Sequence, residues 1–539
     1  MSSIRRARIT LLANHNRNVS TVFVLSLEGT PASCYNSIVT AARNKLRLKC
    51  KMVYLMSTGE VVTKENCLKV IENGSVLVVS KGEALQGAIR PETPTVGVIG
   101  LDTLTINSTL KKPLLDVLIV KSWLEDEGEK QLRTTAKSLP QVVAAVGMPD
   151  LHPGKRYPIG AVYATEGVLY PMLVGGDIGC GMILLETNMK SSRATEKQVE
   201  KWCQNLVGVD RPLDAFDISK SIEWSNNSQT IQPVVEELFQ KHGIDLNKFN
   251  PSLGTVGAGN HFAEFQVIEH IYDRAIFEEK TQLNSESLFL LVHSGSRGLG
   301  AAILKRHIDS FGEVGLASDS PEANDYLELH DAACEWARHN RRLIAKRVLE
   351  RIGGSLDESR CVLDIWHNNV SAVSCTMPTA DNDKSEGDKP GEEWKCSKEN
   401  RSDEMKSSPT TRKLWLHRKG AAPSNQGLVV IPGSRGSLSY LVQPIEPRLG
   451  SGFSLAHGAG RKWHRSKALA SGKSRYPNPE VLRTTPLRGK VVCTDKNLLY
   501  EEAPDAYKDI DAVVSDLVDL GFVKVAASFR PVLSYKTSS

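Results

Sequence analysis

The sequence predicts an α+β protein in two parts, a small β-roll over residues 1–88 followed by a large mixed α/β domain over residues 89–539. Three observations lead there. The N-terminal stretch reads as strand, strand, helix and short strands. The remainder breaks into short β-branched runs punctuated by glycine, and patches with apolar residues at helical spacing interrupt those runs. A chain of 539 residues, 40% hydrophobic and 24% charged, has the material for more than one core.

In the first part, RITLL and TVFVLSL read as strands, SCYNSIVTAARNKL as a helix, and KMVYLM, GEVV and SVLVVSKG as short strands. This order, two strands, a helix and further short strands, suits a ubiquitin-like, β-grasp-like roll. Its closing stretch, GEVVTKENCLKVIENGSVLVVSKGE, resembles the doublecortin type of that roll. Arg43, Lys45, Arg47, Lys49 and Lys51 read as a solvated face that is also open to RNA. The start, MSSIRRARITLLANHNRNVS, is Arg-rich and acid-free, as transit peptides are, yet Ile9 and Leu11 alternate as in a first strand. The expected location is intracellular, cytoplasmic or nuclear, with mitochondrial as the minor alternative.

A polar bridge, ALQGAIRPETPT, leads into the second part. There EKQVEKWCQNLV and the long DYLELHDAACEWARHNRRLIAKRVLERI carry helical periodicity. Residues 377–411 are polar, charged and almost free of aliphatic side chains, so a disordered insertion is expected across them.

Composition excludes more than it selects. A net charge of +5 permits a nucleic-acid partner without requiring one. The ten cysteines are scattered with no CxxC pair, which argues for a reducing compartment and against a secreted disulfide framework. No run approaches the ~18–20 apolar residues of a membrane span, so no membrane partner is expected.

The chemistry sits in glycine-flanked polar clusters far apart in sequence. GGDIGCG offers Asp177 and Cys180, GTVGAGNHFAEFQ offers Asn260, His261 and Glu264, LVHSGSRGLG offers His293, and LDIWHNNV offers His367. Taken singly, each reads equally as a structural histidine or an inert buried cysteine. Together, Asp177, Cys180, His261, His293 and His367 make one carboxylate, one thiolate and three imidazoles, a metal-binding set. A bridging thiolate would let them serve two ions, zinc as readily as manganese. VIPGSRGSLSYLV places Gly433, Ser434, Arg435, Gly436, Ser437 and Ser439 in a turn suited to phosphate. SLAHGAGRKWHR sets His457 among small neighbours, open to a bulky reactant, with Arg461 four residues on; it is also readable as a plain glycine turn.

MPDLHPGKRYPIGAV, GGDIGCGM, GTVGAGNHFAEFQ, HSGSRGLG, HNNV, HRKGAA, IPGSRGSLSY, AHGAGR, EEAPDAYKDID and RPVLSYK resemble, in this order, the signature segments of the RtcB RNA ligases. The resemblance runs from about residue 95 to the C-terminus, leaving out 377–411. It implies a GTP- and manganese-dependent ligase that joins RNA 3′-phosphate or 2′,3′-cyclic-phosphate ends to 5′-hydroxyl ends through a GMP-histidine intermediate on His457. It further implies that Asp177, Cys180, His261, His293 and His367 hold two Mn²⁺ ions, with Cys180 bridging. The implied GMP pocket comprises Asn260, His261, Phe262, Ala263, Glu264, His367, Asn368, Pro432, Gly433, Ser434, Arg435, Ser439, His457, Gly458, Ala459, Gly460 and Lys536. Arg435 departs from the family pattern, where methionine is common, as do Lys155 and Arg156. Transfer-RNA splicing and RNA repair both fit, with or without an activating protein. The alternatives are a two-metal phosphatase or nuclease acting on RNA ends, and a non-catalytic RNA-binding scaffold.

Overall fold

The structure, a computed structural model, describes residues 6–14, 16–27, 29–55, 60–71, 75–83, 98–99, 113–214, 232–377 and 410–537. The bridge at 84–95 and most of the expected insertion lie outside these residues. The ends of that insertion are strand, not loop: Met377 pairs with Thr410 and Thr376 with Thr411 in one antiparallel ladder. Contacts divide the chain into two units, Met1–Thr95 and Val96–Ser539.

In the first unit, strands run in the order Asn16–Ser26, Arg6–Ala13, Val76–Ser80, Met52–Leu55, Val61–Val62. Arg6–Ala13 pairs antiparallel with Asn16–Ser26 and parallel with Val76–Ser80. The helix Pro31–Leu46 starts where the Thr30 side chain accepts from the Ser33 amide with proline at the first turn. It ends where Arg47 turns left-handed at φ 52°. Ile38 and Ala42 of that helix pack with Ile9, Leu11, Val53 and Leu77 in a single core. Cys34 and Cys67 meet inside it, their sulfurs 2.8 Å apart. The basic residues Arg43, Lys45, Arg47, Lys49 and Lys51 are all exposed.

The second unit is built on a large sheet, in the order Arg360–Trp366, Gly181–Lys190, Ser287–Ser294, Phe262–Ile271, Val523–Thr537, Ser439–Pro444, Val429–Pro432. The strands Gly181–Lys190 and Ser287–Ser294 bury apolar residues on both faces, because each face meets a different layer. Ile183, Leu185, Leu290 and Val292 pack against Val199 and Trp202 of the helix Glu196–Leu206 and Ile344, Val348 and Leu349 of the helix Pro321–Ile352. The alternate residues Met182, Leu184, Phe289 and Leu291 face Val146, Val162, Ala164, Leu414 and Leu416 of a second sheet. That sheet runs Asn368–Met377, Thr410–Lys419, Ile159–Glu166, Val142–His152, Leu114–Val117. The long helix begins at Ser320, whose hydroxyl accepts from the Ala323 amide, and stops at Gly353 in the left-handed region. Among the described residues, no helix is long and apolar enough to cross a membrane.

Candidate active site

Sheet register explains why donors from four distant segments meet. Gly181 is paired with Ser294 on one side and Trp366 on the other, and Phe262 is paired with His293. Cys180, His261, His293 and His367 therefore stand at one end of neighbouring strands, which are about 4.8 Å apart in any sheet. Cys180 Sγ lies 3.3 Å from His261 Nε2 and 3.3 Å from His293 Nε2. His293 Nε2 is 3.2 Å from His367 Nε2, and His261 Nε2 is 3.1 Å from Asp177 Oδ2. The five donors form two trios, Asp177–Cys180–His261 and Cys180–His293–His367, which share Cys180.

The donor set fits cations. Burial, then neighbouring imidazoles, hold His293 well below the ordinary histidine range, and burial, then His457 and Arg341, do the same for His367. Neutral imidazoles packed nitrogen to nitrogen present lone pairs with too few protons to share, an arrangement that a bound cation satisfies. Gly295 leaves room beside them: a Cβ there would overlap the Asp177 carboxylate and come within 3.1 Å of Cys180 Cα.

His457 follows the short strand Ser454–Ala456, and its ring centroid is 4.6 Å from that of His367. Its Nδ1 donates to Asp150 Oδ2 at 2.6 Å, and its backbone N–H donates to the same oxygen at 3.2 Å. A carboxylate acceptor keeps the proton on Nδ1 and leaves Nε2 with its lone pair. Asp150 has no exposed surface, and Lys508 holds its strand in place by donating to the Pro149 and Leu151 carbonyls at 3.0 and 2.7 Å. Gly460 turns the chain away at φ 70°, where a Cβ would collide with the Asp150 carbonyl.

Asp177, Cys180, His293 and His367 of the trios, together with His457, line one cleft of about 820 Å³. Asn260, Phe262, Glu264, His367, Asn368, Pro432 to Arg435, His457 to Gly460 and Lys536 also line it. Three residues of the implied nucleotide pocket do not. His261 sits in the donor cluster, while Ala263, one step out of phase with Phe262 and Glu264, points into the core around Phe265. Ser439 lies behind Glu264: Gln266 Nε2 donates to Glu264 Oε1 at 2.8 Å and to Ser439 Oγ at 2.9 Å, and the Ser534 hydroxyl donates to Glu264. Burial pushes the Glu264 carboxyl up to about 7, against the pull of Ser534, Gln266 and Lys536. Arg435 is buried and donates to the Leu499 carbonyl at 2.8 Å. Glu502 joins Arg461 at 2.6 Å, Lys536 at 3.6 Å and the Tyr507 hydroxyl; burial opposes its charge, but Lys536 and Arg461 hold it down at about 2.

Asp150 and Glu502 lie inside the segments MPDLHPGKRYPIGAV and EEAPDAYKDID, yet the motifs alone assign neither a role. The further signal for Asp150 is one acid inside the apolar run VVAAVGMPDLH, a strand in which every residue proves buried. A carboxylate there must have a partner.

Such a fold and cleft define an enzyme class in which carboxylate, thiol and imidazole groups able to hold metal ions stand beside an oriented histidine. The sequence matches the family described as tRNA-splicing ligase RtcB over residues 131–377 and 388–537. It is 40% identical over 433 residues to RNA-splicing ligase RtcB2 of Escherichia coli, covering 79% of this chain and 97% of that protein. It is 30% identical over 473 residues to the tRNA-splicing ligase RtcB of Nanoarchaeum equitans, covering 78% and 93%. The chain belongs to the RtcB family and is an RNA ligase.

Proposed function

We propose that this ligase joins an RNA 3′-phosphate, or a 2′,3′-cyclic phosphate once opened, to a 5′-hydroxyl, using GTP and carrying GMP on His457. The hydrogen bond from His457 Nδ1 to Asp150 carries the reading, because it prepares Nε2 as the nucleophile. Nε2 attacks the α-phosphorus of GTP, the N–P bond forms, and pyrophosphate leaves. An RNA 3′-phosphate oxygen then attacks the same phosphorus and the N–P bond breaks, leaving GMP on the RNA end. The 5′-hydroxyl attacks that activated 3′-phosphorus, loses its proton and expels GMP.

Asp177, Cys180 and His261 would hold one Mn²⁺, and Cys180, His293 and His367 a second, with Cys180 between them. When bound, such cations neutralise phosphate charge and polarise the phosphorus. Asn260, Phe262, Glu264, Asn368, the turn Pro432–Arg435, Gly458 to Gly460 and Lys536 would surround GMP, with His261, Ala263 and Ser439 supporting from behind. Hydrolysis of RNA ends would also suit two metals, but it would not need a histidine that carries GMP. The relatives' names support ends left by RNA splicing as substrates. The strand order of the first unit, with its helix packed on the sheet, supports a β-grasp-like module.

Incubation with α-labelled GTP and Mn²⁺ tests the nucleophile. An acid-labile label should appear on the wild-type chain and vanish in His457→Ala; a labelled His457→Ala chain refutes the assignment.

A further inference from the structure

Behind the donor cluster, two adjacent residues of the long helix Pro321–Ile352 bond to the loops that carry the ligands. Arg341 is fully buried, and its Nη1 donates to the carbonyls of Gly179 at 2.9 Å and Ser294 at 3.2 Å. Its Nε and Nη2 donate to Asp364 Oδ1 at 2.9 and 2.5 Å. Gly179 precedes Cys180, Ser294 follows His293, and Asp364 lies on the strand that leads into His367. Asn340 has no exposed surface either. Its Nδ2 donates to Ser294 Oγ at 3.2 Å and to the Gly295 carbonyl at 3.1 Å, and its Oδ1 accepts from the Gly254 amide at 2.8 Å. The Cys180 loop lies directly on this helix: a Cβ on Gly179 would come within 2.8 Å of Cys334 Cα.

We propose that Asn340 and Arg341 are positioning residues for the metal ligands, a two-residue clamp that sets the spacing of Cys180, His293 and His367. The inference rests on the metal-centre reading above. A buried guanidinium–carboxylate pair adds little stability over a well-packed apolar replacement, so fold stability alone gives no reason for this pair. Geometry does. A planar guanidinium reaches two carbonyls on separate loops and a carboxylate on a third segment at once, and a lysine ammonium cannot reproduce that fork. Residues that orient ligands from outside a metal centre typically contribute about 10- to 100-fold to metal affinity.

The test uses full-length protein with cobalt(II) as the probe, read by competition binding and by the thiolate-to-cobalt absorption band. Circular dichroism selects a temperature at which the metal-free variants are folded. Arg341→Lys should weaken cobalt binding about 10- to 100-fold and displace or weaken the thiolate band. Folded Arg341→Lys with wild-type affinity and spectrum overturns the clamp. If that variant does not fold, Asn340→Ala, which removes no charge, decides by the same readouts. Failure of both to fold in the cold assigns the pair to stability alone and also overturns the proposal. A wild-type chain that binds no cobalt refutes instead the metal-centre reading.

Discussion

Asp150 and His457 are joined twice through one carboxylate oxygen, by the imidazole Nδ1 at 2.6 Å and by the backbone N–H at 3.2 Å. One buried acid thus sets both the tautomer of the ring and the place of its backbone. Asp150→Asn keeps the size of the side chain but offers Nδ1 an amide in place of a carboxylate. Transfer of label from α-labelled GTP to the protein should slow by roughly 10²–10⁴-fold, the scale seen when the acid orienting a catalytic histidine is amidated. Wild-type labelling rates in the variant would leave Asp150 without a role.

Cys180 is the one donor common to both trios. Its substitution by alanine should weaken Mn²⁺ binding at both proposed sites, whereas His261→Ala should spare the Cys180–His293–His367 group. Equilibrium dialysis with Mn²⁺, read as ions bound per chain, distinguishes the two variants. Equal losses in both would argue against two sites built around one sulfur.

Glu264 makes stability depend on pH in a defined direction. Burial raises its folded pKa to about 7 from the ordinary 4.5, so between those values the folded chain holds a proton that the unfolded chain has released. The stabilisation from that proton is complete below about pH 4.5 and is lost as pH rises through about 7. The change is on the order of 3 kcal/mol. Glu264→Gln should flatten this part of the metal-free melting profile. An unchanged slope in the variant would show that other groups cause it.

Met377 and Thr410 face each other across an antiparallel ladder, so a two-residue turn can join them. Replacing residues 378–409 with Asn-Gly should leave the melting temperature within a few degrees of wild type and preserve ligation of a bare RNA pair, since closing a shorter loop costs little. Loss of folding would show that the removed stretch supports the domain.

Local pattern carried a large share of this protein. The strand–strand–helix order of the first unit, the long helix and the apolar strands were legible because period and capping residues act within a few positions. So were the candidate donors, since glycine-flanked carboxylate, thiol and imidazole groups announce themselves by type. The strand phase that turns Ala263 into the core while Phe262 and Glu264 face the cleft was implicit in the alternation, but a motif spanning Asn260 to Glu264 takes no account of it. The ends of the insertion were misplaced for a related reason. Thr410 and Thr411 are polar residues whose strand state comes from pairing with Met377 and Thr376.

By itself the sequence determined the kinds of donor, their order and the family whose segments they match. Tertiary structure alone decided which donors share Cys180, that Asp150 holds His457, and that Asn340 and Arg341 lie behind the cluster. The physical reason is range. Side-chain chemistry and helical or strand period are properties of neighbouring residues. Convergence of segments far apart in the chain depends on sheet register and on the packing of two cores, and no short stretch of sequence contains that information.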